Sequence, residues 1–357
     1  MTGGHAAADR RVLLVEGGTG LQPTRVTVAT ARALHMAGFS VDVVTSNPSS
    51  LAASSRSVER VRATTLADAP RAVSEACDGG GYRCLFPTSD AVQRALGLAG
   101  VEIIDKRELY RLAASIDVPV PPTRFFDDAA ALRHAADDLA YPLVLKPAIG
   151  KPAMRASSPA DTERFLRRVD GRTLLLAQPI LEGQVRAVAG VVRDGHFVAL
   201  VHQIAQRAWP SASGITCAAM TVDPDPVLET WAEGLLVGYD GIFQAQFLSG
   251  ALIDLNLRPY GSISLAVQAG ANLPSLAADG GGGSSLLRAR AGVRYRWLEG
   301  DMRLLRATMR HRPRELPAAM WRARPRPGTA HGDPWTLRDL GPARARLRQR
   351  GNRPWAR

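Results

Sequence analysis

Lysine is scarce in this chain of 357 residues. Of its 45 basic residues only Lys106, Lys146 and Lys151 are lysines, and all the others are arginines. An ammonium group is a compact point charge, whereas a guanidinium group is a planar fork, so the two side chains are not interchangeable. Where arginine is the default cation, a lysine calls for a reason. We therefore treat Lys106 and Lys146 as candidate functional residues, although either one alone also fits a surface cation.

Cysteine is equally scarce, and long apolar runs are absent. Cys77, Cys84 and Cys217 show neither a metal-ligand spacing nor a disulfide framework, which favours a reducing cytosol and implies no zinc site. The start of the chain lacks the apolar segment of a signal peptide. The longest uncharged stretch, residues 259–278, contains Gln268 and Asn272, so it does not read as a membrane-spanning helix. We expect a cytoplasmic protein with no transmembrane segment.

Residues 243–258 carry the most informative pattern in the sequence. Residues 243–248 and 252–258 alternate apolar and polar side chains, as half-buried strands do, and Ser249-Gly250 supplies a turn between them. In the antiparallel register that this turn implies, Gln246 lies opposite Asp254. Asp254, Asn256 and Arg258 then project on the same side as Gln246, because side chains alternate faces along a strand.

This polar face has the chemistry of a metal and phosphate site. The oxygens of Gln246, Asp254 and Asn256 are hard ligands that suit Mg²⁺, which takes few protein oxygens and completes its shell with waters and nucleotide phosphates. Arg258 can hold a phosphoryl oxygen through a bidentate fork. The alternative that this segment leaves open is the solvated face of an ordinary hairpin.

The two lysines precede this hairpin in the sequence. Lys146 ends the short apolar strand that begins at Tyr141, and Pro147 marks the turn after it. Lys106 opens a segment with helical spacing at positions 109, 112 and 113, and the prolines of residues 119–122 force an extended exit from it. Two lysines at element ends, ahead of a polar hairpin, favour a common site.

The ordered set of motifs resembles the ATP-grasp superfamily, in particular its carbamoyl-phosphate-synthetase-like carboxylate ligases, over residues 85–278. Asp105-Lys106 through Pro119-Val120-Pro121 is similar to the entry to that fold, and Lys146-Pro147 to its strand-borne lysine. Residues 174–183 are similar to the adenine-hinge strand, and residues 254–262 to the "E-x-N-x-R-x-x-G-S" strand. Asp254 replaces the usual Glu of that strand, so the metal must sit closer to the backbone or be held through water.

The resemblance implies a role for each candidate residue. Mg²⁺ would be held by Gln246, Asp254 and Asn256, and the phosphates of ATP by Lys106 and Lys146. The adenine would meet the chain at Gln178 and Ile180, and Glu182 would supply the ribose contact. Arg258 would steady the transferred group, and Arg207 is a further candidate near the transferred phosphate, with a surface arginine as its alternative. The implied enzyme is a Mg²⁺-dependent ligase that activates a carboxylate as an acyl phosphate with release of ADP and joins it to an amine or another nucleophile.

The largest departure from the family lies directly after Lys146-Pro147. Residues 148–158 stand where a glycine-rich lid wraps the triphosphate, and only Gly150 remains, with Lys151 and Arg155 as possible substitutes. Turnover is therefore more in question than nucleotide binding. A nucleotide-binding protein that has lost turnover is the first rival hypothesis.

The predicted fold class is α/β, α+β in part, with an N-terminal Rossmann-like pre-ATP-grasp domain followed by a two-subdomain ATP-grasp fold. Residues 11–16 and 41–45 read as strands around a helix near residues 24–37, which predicts a parallel sheet. The glycines after the first strand lack the dinucleotide-binding spacing. The predicted boundaries are residues 1–104 for this domain, 105–278 for the ATP-grasp domain with its small subdomain at about 115–177, 279–287 for a Gly/Ser linker, and 288–357 for an Arg-rich region.

The Arg-rich region holds all of the excess positive charge of the chain. Residues 288–357 contain 19 arginines and 5 acidic residues, whereas the whole chain has a net charge of +12. Such a region could bind nucleic acid, an anionic membrane or an acidic partner. No nucleic-acid-binding motif is present, so we do not expect that partner. An adaptor that acts through this basic region is the second rival hypothesis, and we expect loose order beyond about residue 310.

Overall fold

The computed structural model describes residues 10–150, 152–210, 214–280, 285–331, 336 and 339–351. Lys151 and residues 281–284 of the predicted linker therefore lie outside the described residues. Within the described ranges the strands form three sheets, and no helix there is long and apolar enough to cross a lipid bilayer.

The N-terminal part of the chain is a parallel four-stranded sheet, as its alternating strands and helices predicted. Its elements are β1 (Arg11–Glu16), α1 (Leu21–Met36), β2 (Ser40–Thr45), β3 (Arg60–Ala63), α2 (Ala69–Gly80), β4 (Cys84–Pro87) and α3 (Asp90–Ala95). The strand order is β3-β2-β1-β4, and all three pairings are parallel. The strands β1 and β2 are buried along almost their whole length, which is typical of a parallel sheet covered on both faces.

A small antiparallel sheet follows after the helix α4 (Lys106–Ser115). It consists of β5 (Arg124–Phe126), α5 (Ala129–His134), β6 (Leu143–Pro147), β7 (Met154–Ala156), α6 (Pro159–Leu166) and β8 (Leu175–Pro179). The strand order is β5-β8-β6-β7. Its own core packs the apolar faces of α5 and α6 against the sheet around Phe126, Leu145 and Phe165, so this unit holds Lys146 on a packed strand.

The largest sheet has eight strands. Its elements, with the helices between them, are β9 (Arg186–Arg193), β10 (His196–Trp209), β11 (Ile215–Thr221), α7 (Pro226–Leu235), β12 (Gly241–Leu248), β13 (Ala251–Asn256), α8 (Ile263–Gln268), α9 (Leu273–Asp279), β14 (Leu287–Arg288) and β15 (Arg294–Arg296). After β15 come α10 (Leu298–His311), α11 (Leu316–Arg322), β16 (Ala330–His331) and α12 (Gly341–Gly351). The strand order is β13-β12-β9-β10-β11-β15-β16, and β14 pairs with β10.

The two faces of the large sheet are covered by different parts of the chain. One face packs on α4 and α7 through Leu109, Leu235 and Phe243. The other face packs on α1, α8 and α9, where Val191, Val201 and Ile242 share one core with residues of the N-terminal sheet. The second face is therefore the one at which the N-terminal part and the large sheet meet.

The Arg-rich region is more ordered than its composition suggested. Glu299 and Asp301 are buried in α10, where they form ion pairs with Arg346 and Arg207. Farther along, Asp339 accepts hydrogen bonds from Arg32 at 2.9 Å and Ser55 at 2.6 Å. The expectation of loose order beyond residue 310 is therefore wrong for residues 312–331 and 339–351, because buried carboxylates fix this region to the rest of the molecule.

Candidate active site

The hairpin of β12 and β13 gathers four polar side chains on one face. Gln246 pairs with Asp254 and Gln244 with Asn256, so the register is the one that the sequence predicted. Ser249 and Gly250 both have positive φ, which is the conformation of a tight two-residue hairpin turn. The register shifts between Gln246, which pairs with Asp254, and Phe247, which pairs with Leu252. This irregularity lets Asp254 and Leu252, two positions apart, lie on opposite faces of the hairpin, the polar and the apolar one.

Gln244 belongs to this face although the sequence analysis did not single it out. It is buried, and its amide oxygen accepts a hydrogen bond at 3.0 Å from the amide nitrogen of Gln246. That bond leaves the amide oxygen of Gln246 directed away from Gln244 and available to a cation. The signal was present in the sequence, because Gln244 continues the same period-two alternation by one step toward the N-terminus.

Lys106 reaches this face from α4. Its ammonium nitrogen lies 2.8 Å from Oδ1 of Asp254, and the side chain is almost completely buried. The position of the lysine is fixed locally, because the Asp105 carboxylate caps the helix by accepting from the backbone N–H of Arg107 at 2.8 Å. The backbone N–H of Lys106 also donates to the carbonyl of Ala148 at 3.1 Å, which joins α4 to the loop after β6.

Lys146 approaches the same point from the small sheet. Its ammonium group lies 3.4 Å from the carbonyl oxygen of Ile253, next to Asp254. Burial, followed by the nearby charge of Lys106, lowers the pKa of Lys146 to about 7, although Asp254 opposes the shift. The two lysines thus converge on one hairpin from two different elements.

The charge on Asp254 is favoured by these neighbours. Burial by itself would raise the pKa of Asp254, but the charge and hydrogen bond of Lys106, with the charges of Lys146 and Arg258, outweigh it and the pKa lies below its ordinary value. About a third of the Asp254 side chain remains exposed, at 34%. The carboxylate is therefore ionised and accessible to a cation.

Arg258 is held by two groups at the end of the hairpin. Its Nε lies 2.6 Å from the Asp90 carboxylate, and one Nη donates to Oδ1 of Asn256 at 2.9 Å. Burial would lower the pKa of Arg258, but the charge and hydrogen bond of Asp90 outweigh it and the pKa is raised. Ser89 caps α3 by accepting from the backbone N–H of Val92 at 3.4 Å, whereas its neighbour Asp90 supplies the counter-charge of Arg258.

The predicted adenine hinge lies at the end of β8. Gln178 is buried, and its amide group donates to the hydroxyl of Tyr110 at 3.1 Å and to that of Thr123 at 2.8 Å. Ile180 and Glu182 follow in the connection to β9, and the carbonyl of Glu182 accepts from the hydroxyl of Ser249 in the hairpin turn. The amide nitrogen of Gln178 is thus hydrogen-bonded within the fold. The connection that follows Gln178 reaches the hairpin.

Arg207 is not joined to this cluster by any contact in the described part of the chain. Its guanidinium group forms a bidentate pair with Asp301 at 2.9 and 3.0 Å and also donates to the carbonyl of Arg322. Because Asp301 is 94 positions away in the sequence, no local sequence pattern predicts that it pairs with Arg207. A role for Arg207 at the transferred phosphate stays a prediction.

A groove of about 420 Å³ lies beside the hinge connection. Its walls are Gly183–Val185, the end of β10 at Ala205–Ala208, and the helices α10 and α11, which contribute Leu304, Leu305 and Ala319. Ala205 donates its backbone N–H to the carbonyl of Val185, and Ala187, two residues farther on, pairs with Gln246. The groove is thus one strand away from the hairpin face.

The residues of the hairpin face fit a magnesium ion that is shared with phosphates. The described residues contain no group of three or more His, Cys, Asp or Glu side chains that could hold a metal by themselves. One carboxylate, Asp254, with the amide oxygens of Gln246 and Asn256 is the kind of partial oxygen shell that Mg²⁺ accepts when phosphates and waters complete it. Asn256 is the weakest of the three, because its oxygen already accepts from Arg258.

Comparisons with known proteins give structural relatives only. No family model matches the chain, and no curated protein matches it either. Among solved structures, carboxyaminoimidazole ribonucleotide synthase from Aspergillus clavatus, complexed with ATP, is similar with a TM-score of 0.61 and 14% identity over 79% of this chain and 80% of that chain. L-amino acid ligase from Bacillus licheniformis has a TM-score of 0.58 and 15% identity over 76% of this chain and 75% of that chain.

Biotin carboxylase from Campylobacter jejuni is a third structure of this kind, with a TM-score of 0.57 and 15% identity over 80% of this chain and 74% of that chain. At such identities the likeness is one of fold. The three sheets and their order along the chain agree with it. The predicted fold is thereby confirmed, and the chain has the ATP-grasp fold preceded by a Rossmann-like N-terminal domain.

Proposed function

We propose that this protein is a Mg²⁺-dependent ligase that uses ATP to activate a carboxylate. The observation that carries the proposal is the convergence of Lys106, Lys146 and Arg258 on the hairpin face of Asp254. Three cations against the two carboxylates of Asp254 and Asp90 leave a net positive site. That balance suits the triphosphate of a nucleotide brought in with its magnesium ion.

The chemistry that we propose needs no side-chain nucleophile. A carboxylate oxygen of the substrate attacks the γ-phosphorus of ATP, the bond from that phosphorus to the β,γ-bridging oxygen breaks, and ADP leaves. An amine or another nucleophile then attacks the acyl carbon and displaces inorganic phosphate. Bound Mg²⁺ would neutralise phosphate charge, and Gln246, Asp254 and Asn256 would hold it.

The residues of the chain would act by position and charge. Lys106 and Lys146 hold phosphate oxygens, and Arg258, fixed by Asp90, steadies the transferred group. Ile180 and the backbone of the hinge meet the adenine, and Glu182 contacts the ribose. We place the carboxylate or its acceptor in the groove beside Val185, because that groove adjoins the hinge connection and lies one strand away from the hairpin face. Because one of the similar solved structures is an L-amino acid ligase, amino acids are the first carboxylates to test.

Calorimetry of MgATP binding tests the nucleotide site without knowledge of the substrate. We expect binding by the unaltered protein and a loss of at least about tenfold in affinity for Lys146→Ala and for Asp254→Ala, since each removes a charge that is fixed against phosphate or metal. Arg172→Ala is the matched control, because it removes an exposed cation that has no ion pair among the described residues. Failure of the unaltered protein to bind MgATP would rule out the proposal.

Trapping with hydroxylamine tests the reaction class. An acyl phosphate formed on the protein reacts with hydroxylamine to give a hydroxamate and phosphate, so a panel of L-amino acids with MgATP is expected to yield ADP and a hydroxamate for at least one member. Extension of the panel to peptides, sugar acids and bicarbonate, with ADP release as readout, covers the remaining carboxylates.

A nucleotide-binding protein without turnover is the second candidate. The observation that favours it is the short connection between β6 and β7, in which Gly150, with a φ of 78°, is the single glycine. A backbone poor in glycine wraps a triphosphate less readily. This candidate requires MgATP binding of normal strength together with no ADP release for any carboxylate.

We also propose a reducing compartment, the cytoplasm, for this protein. The three cysteines are free, and Cys217 is buried. Burial raises the pKa of Cys84 to about 11 and that of Cys217 to about 12, so both thiols are poor nucleophiles.

A further inference from the structure

The helices α10 and α11 form a hairpin that has one face on the groove and one face on the solvent. Leu304, Leu305 and Thr308 of α10, Ala319 of α11 and Ala323 directly after α11 line the groove. We call these two helices and the connection of residues 312–315 the C-terminal hairpin. Because its inner face is defined by these contacts, the residues on the opposite side of each helix form its outer face.

The outer face carries large apolar side chains. Met302 and Met309 of α10 are 37% and 54% exposed, and Met320 and Trp321 of α11 are 57% and 66% exposed. Met302, Arg306 and Met309 have the spacing i, i+4, i+7, which places them on one side of a helix. Exposed Met and Trp side chains that cluster on one small element mark a contact surface more often than scattered ones do.

The same face is strongly basic and has no matching acidic residues. Three exposed arginines of the hairpin that do not line the groove form no ion pair within the described ranges of the chain: Arg306, Arg310 and Arg314. Of the acidic residues, Glu299 and Asp301 are buried and paired, and Glu315 pairs with Arg312.

The C-terminal hairpin is held in place by ion pairs to the rest of the protein. Asp301 ties it to Arg207 of β10, and Glu299 ties it to Arg346 of α12. Arg324 stacks on Trp321, with its guanidinium carbon 3.5 Å from the ring centroid, so this indole is presented with a cation at its face. A preformed surface does not have to order its backbone on binding, which lowers the entropic cost of association.

We propose that the outer face of the C-terminal hairpin binds the surface of a membrane that contains anionic lipids. Arginines that alternate with Met and Trp fit the boundary of a bilayer, where phosphate groups meet acyl chains and where indole rings prefer to lie. A nucleic-acid phosphate backbone would use the arginines but not the three methionines. Charge complementarity and apolar exposure together thus favour anionic lipid over the other polyanions.

Vesicle flotation with the full chain tests this proposal. Vesicles of phosphatidylcholine alone are compared with vesicles that contain about a quarter of phosphatidylglycerol, a typical proportion for an anionic surface. We expect binding to the anionic vesicles only, weakened about thirtyfold by Arg306→Gln with Arg310→Gln, since each cation near the surface contributes about 1 kcal/mol. Arg164→Gln with Arg172→Gln is the control pair that removes the same charge from α6 and its neighbourhood.

Substitution of the exposed apolar side chains tests their contribution to vesicle binding. Met320→Ser with Trp321→Ser is expected to weaken vesicle binding about as much as the arginine pair, because both side chains would enter the acyl boundary. Equal MgATP binding and an unchanged thermal unfolding curve establish that this variant is folded. Binding that is unchanged in the serine variant, or that is as strong to phosphatidylcholine as to the anionic vesicles, would overturn the proposal, as would single-stranded RNA that binds more tightly than the vesicles.

Fluorescence quenching gives a second readout that does not depend on a destabilising change. Brominated acyl chains in the anionic vesicles are expected to quench the tryptophan emission of the unaltered protein. Trp321→Phe keeps an aromatic side chain in place and is expected to lose most of this quenching while still floating with the vesicles. Quenching that remains in Trp321→Phe would place a different tryptophan at the lipid and contradict the assignment of this face.

Discussion

At the scale of single residues, the candidate site carries more positive charge than negative charge. Lys106 and Lys146 lie against Asp254, and Arg258 lies against Asp90. Burial lowers the pKa of Lys146 to about 7, and the charge of Lys106 adds to this shift. A site of this kind gains more from an incoming polyanion than from any rearrangement of its own side chains.

The contact between Lys106 and Asp254 is expected to stabilise the folded protein as well. Lys106→Met leaves Asp254 with one close cation fewer, and we expect a loss of about 1–3 kcal/mol in the free energy of unfolding, the cost of leaving a partly buried charge without its partner. Urea denaturation of Lys106→Met, Asp254→Asn and the double variant measures the coupling. Simple additivity of the two single losses would contradict a direct interaction.

The buried pair of His202 and Glu229 predicts how stability depends on pH. The imidazole lies 2.8 Å from the Glu229 carboxylate, yet burial lowers the pKa of His202 below its ordinary value of 6.5. The pKa of Glu229 is lowered from 4.5, first by its hydrogen bond with Arg288. The backbone N–H of Asp225 donates to Nδ1 of His202 at 3.4 Å, and the Asp225 carboxylate forms an ion pair with Arg186, also at 3.4 Å.

Both shifts make the fold less stable in acid. Below pH 6.5 the unfolded chain protonates His202 while the folded chain does not, and as the pH falls through the folded pKa of Glu229 a second contribution is lost. As the pH falls from 6.5 toward the folded pKa of His202, we expect the histidine to contribute a slope of at most about 1.4 kcal/mol per pH unit. Denaturation curves of His202→Gln in this range are expected to show a shallower slope, and His134→Gln, an exposed position at the end of α5, is the control. Equal slopes in all three proteins would refute this assignment.

At the scale of elements, the β12–β13 hairpin shows what sequence reasoning can reach. The alternation of residues 243–258 and the Ser249-Gly250 turn specify the face and the register, because a slip by one residue would exchange all buried and polar side chains. Gln244 was missed although it continues the alternation, since two glutamines on one strand look redundant until their mutual hydrogen bond is seen.

Contacts between distant elements are what the sequence does not reveal. Arg207 was predicted from the resemblance, but the partner that orients it, Asp301, comes from α10 in the Arg-rich region, whose composition showed only an excess of positive charge. The amphipathic spacing of α10 is local and could have predicted its existence. The burial of its two carboxylates depends on arginines of β10 and α12, and no local pattern encodes that.

Strand β9 contains a glycine whose missing side chain is structurally required. A Cβ added at Gly190 would lie 2.1 Å from the carbonyl oxygen of Ala199 and 2.9 Å from the ring of Phe243. Because the first of these atoms belongs to the neighbouring backbone, Gly190→Ala is expected to cost at least about 2 kcal/mol of stability.

Thermal unfolding of Gly190→Ala measures this cost. Gly171→Ala is the control, since no atom lies within 4 Å of its added Cβ, and we expect it to change stability by at most about 0.5 kcal/mol. A loss in Gly190→Ala no larger than that of the control would show that β9 and β10 are farther apart than the structure places them.

At the scale of the whole molecule, the C-terminal region joins the large sheet to the N-terminal domain. Glu299 of α10 pairs with Arg346 of α12 at 2.8 Å, and Asp339 pairs with Arg32 of α1. The side chain of Gln349 donates to the carbonyl of Ser49 at 3.3 Å. The region thus fixes the first domain through Arg32 and Ser49.

This fastening predicts a long-range effect of a single substitution. Asp339→Ala removes the acceptor of Arg32 and Ser55, both of which belong to the N-terminal domain, and we expect a destabilisation of about 2–4 kcal/mol, as for other buried pairs that lose one partner. Hydrogen exchange is expected to show reduced protection in α1 and at residues 52–54. Arg344→Ala, an exposed change in α12, is the control, and protection that stays unchanged in Asp339→Ala would show that the contact has no such role.

The docking of residues 339–349 on the N-terminal domain also bears on the order in which the protein is made. On the ribosome, residues 10–100 emerge long before residue 339 is translated. The hydroxyl of Ser55 therefore lacks its hydrogen-bond partner Asp339 until 284 further residues have been added. The first domain can therefore reach its final packing only after residue 339 has left the ribosome. A premature stop anywhere before residue 339 would release a polypeptide whose first domain lacks this last support, and such products are expected to be substrates for cellular proteases.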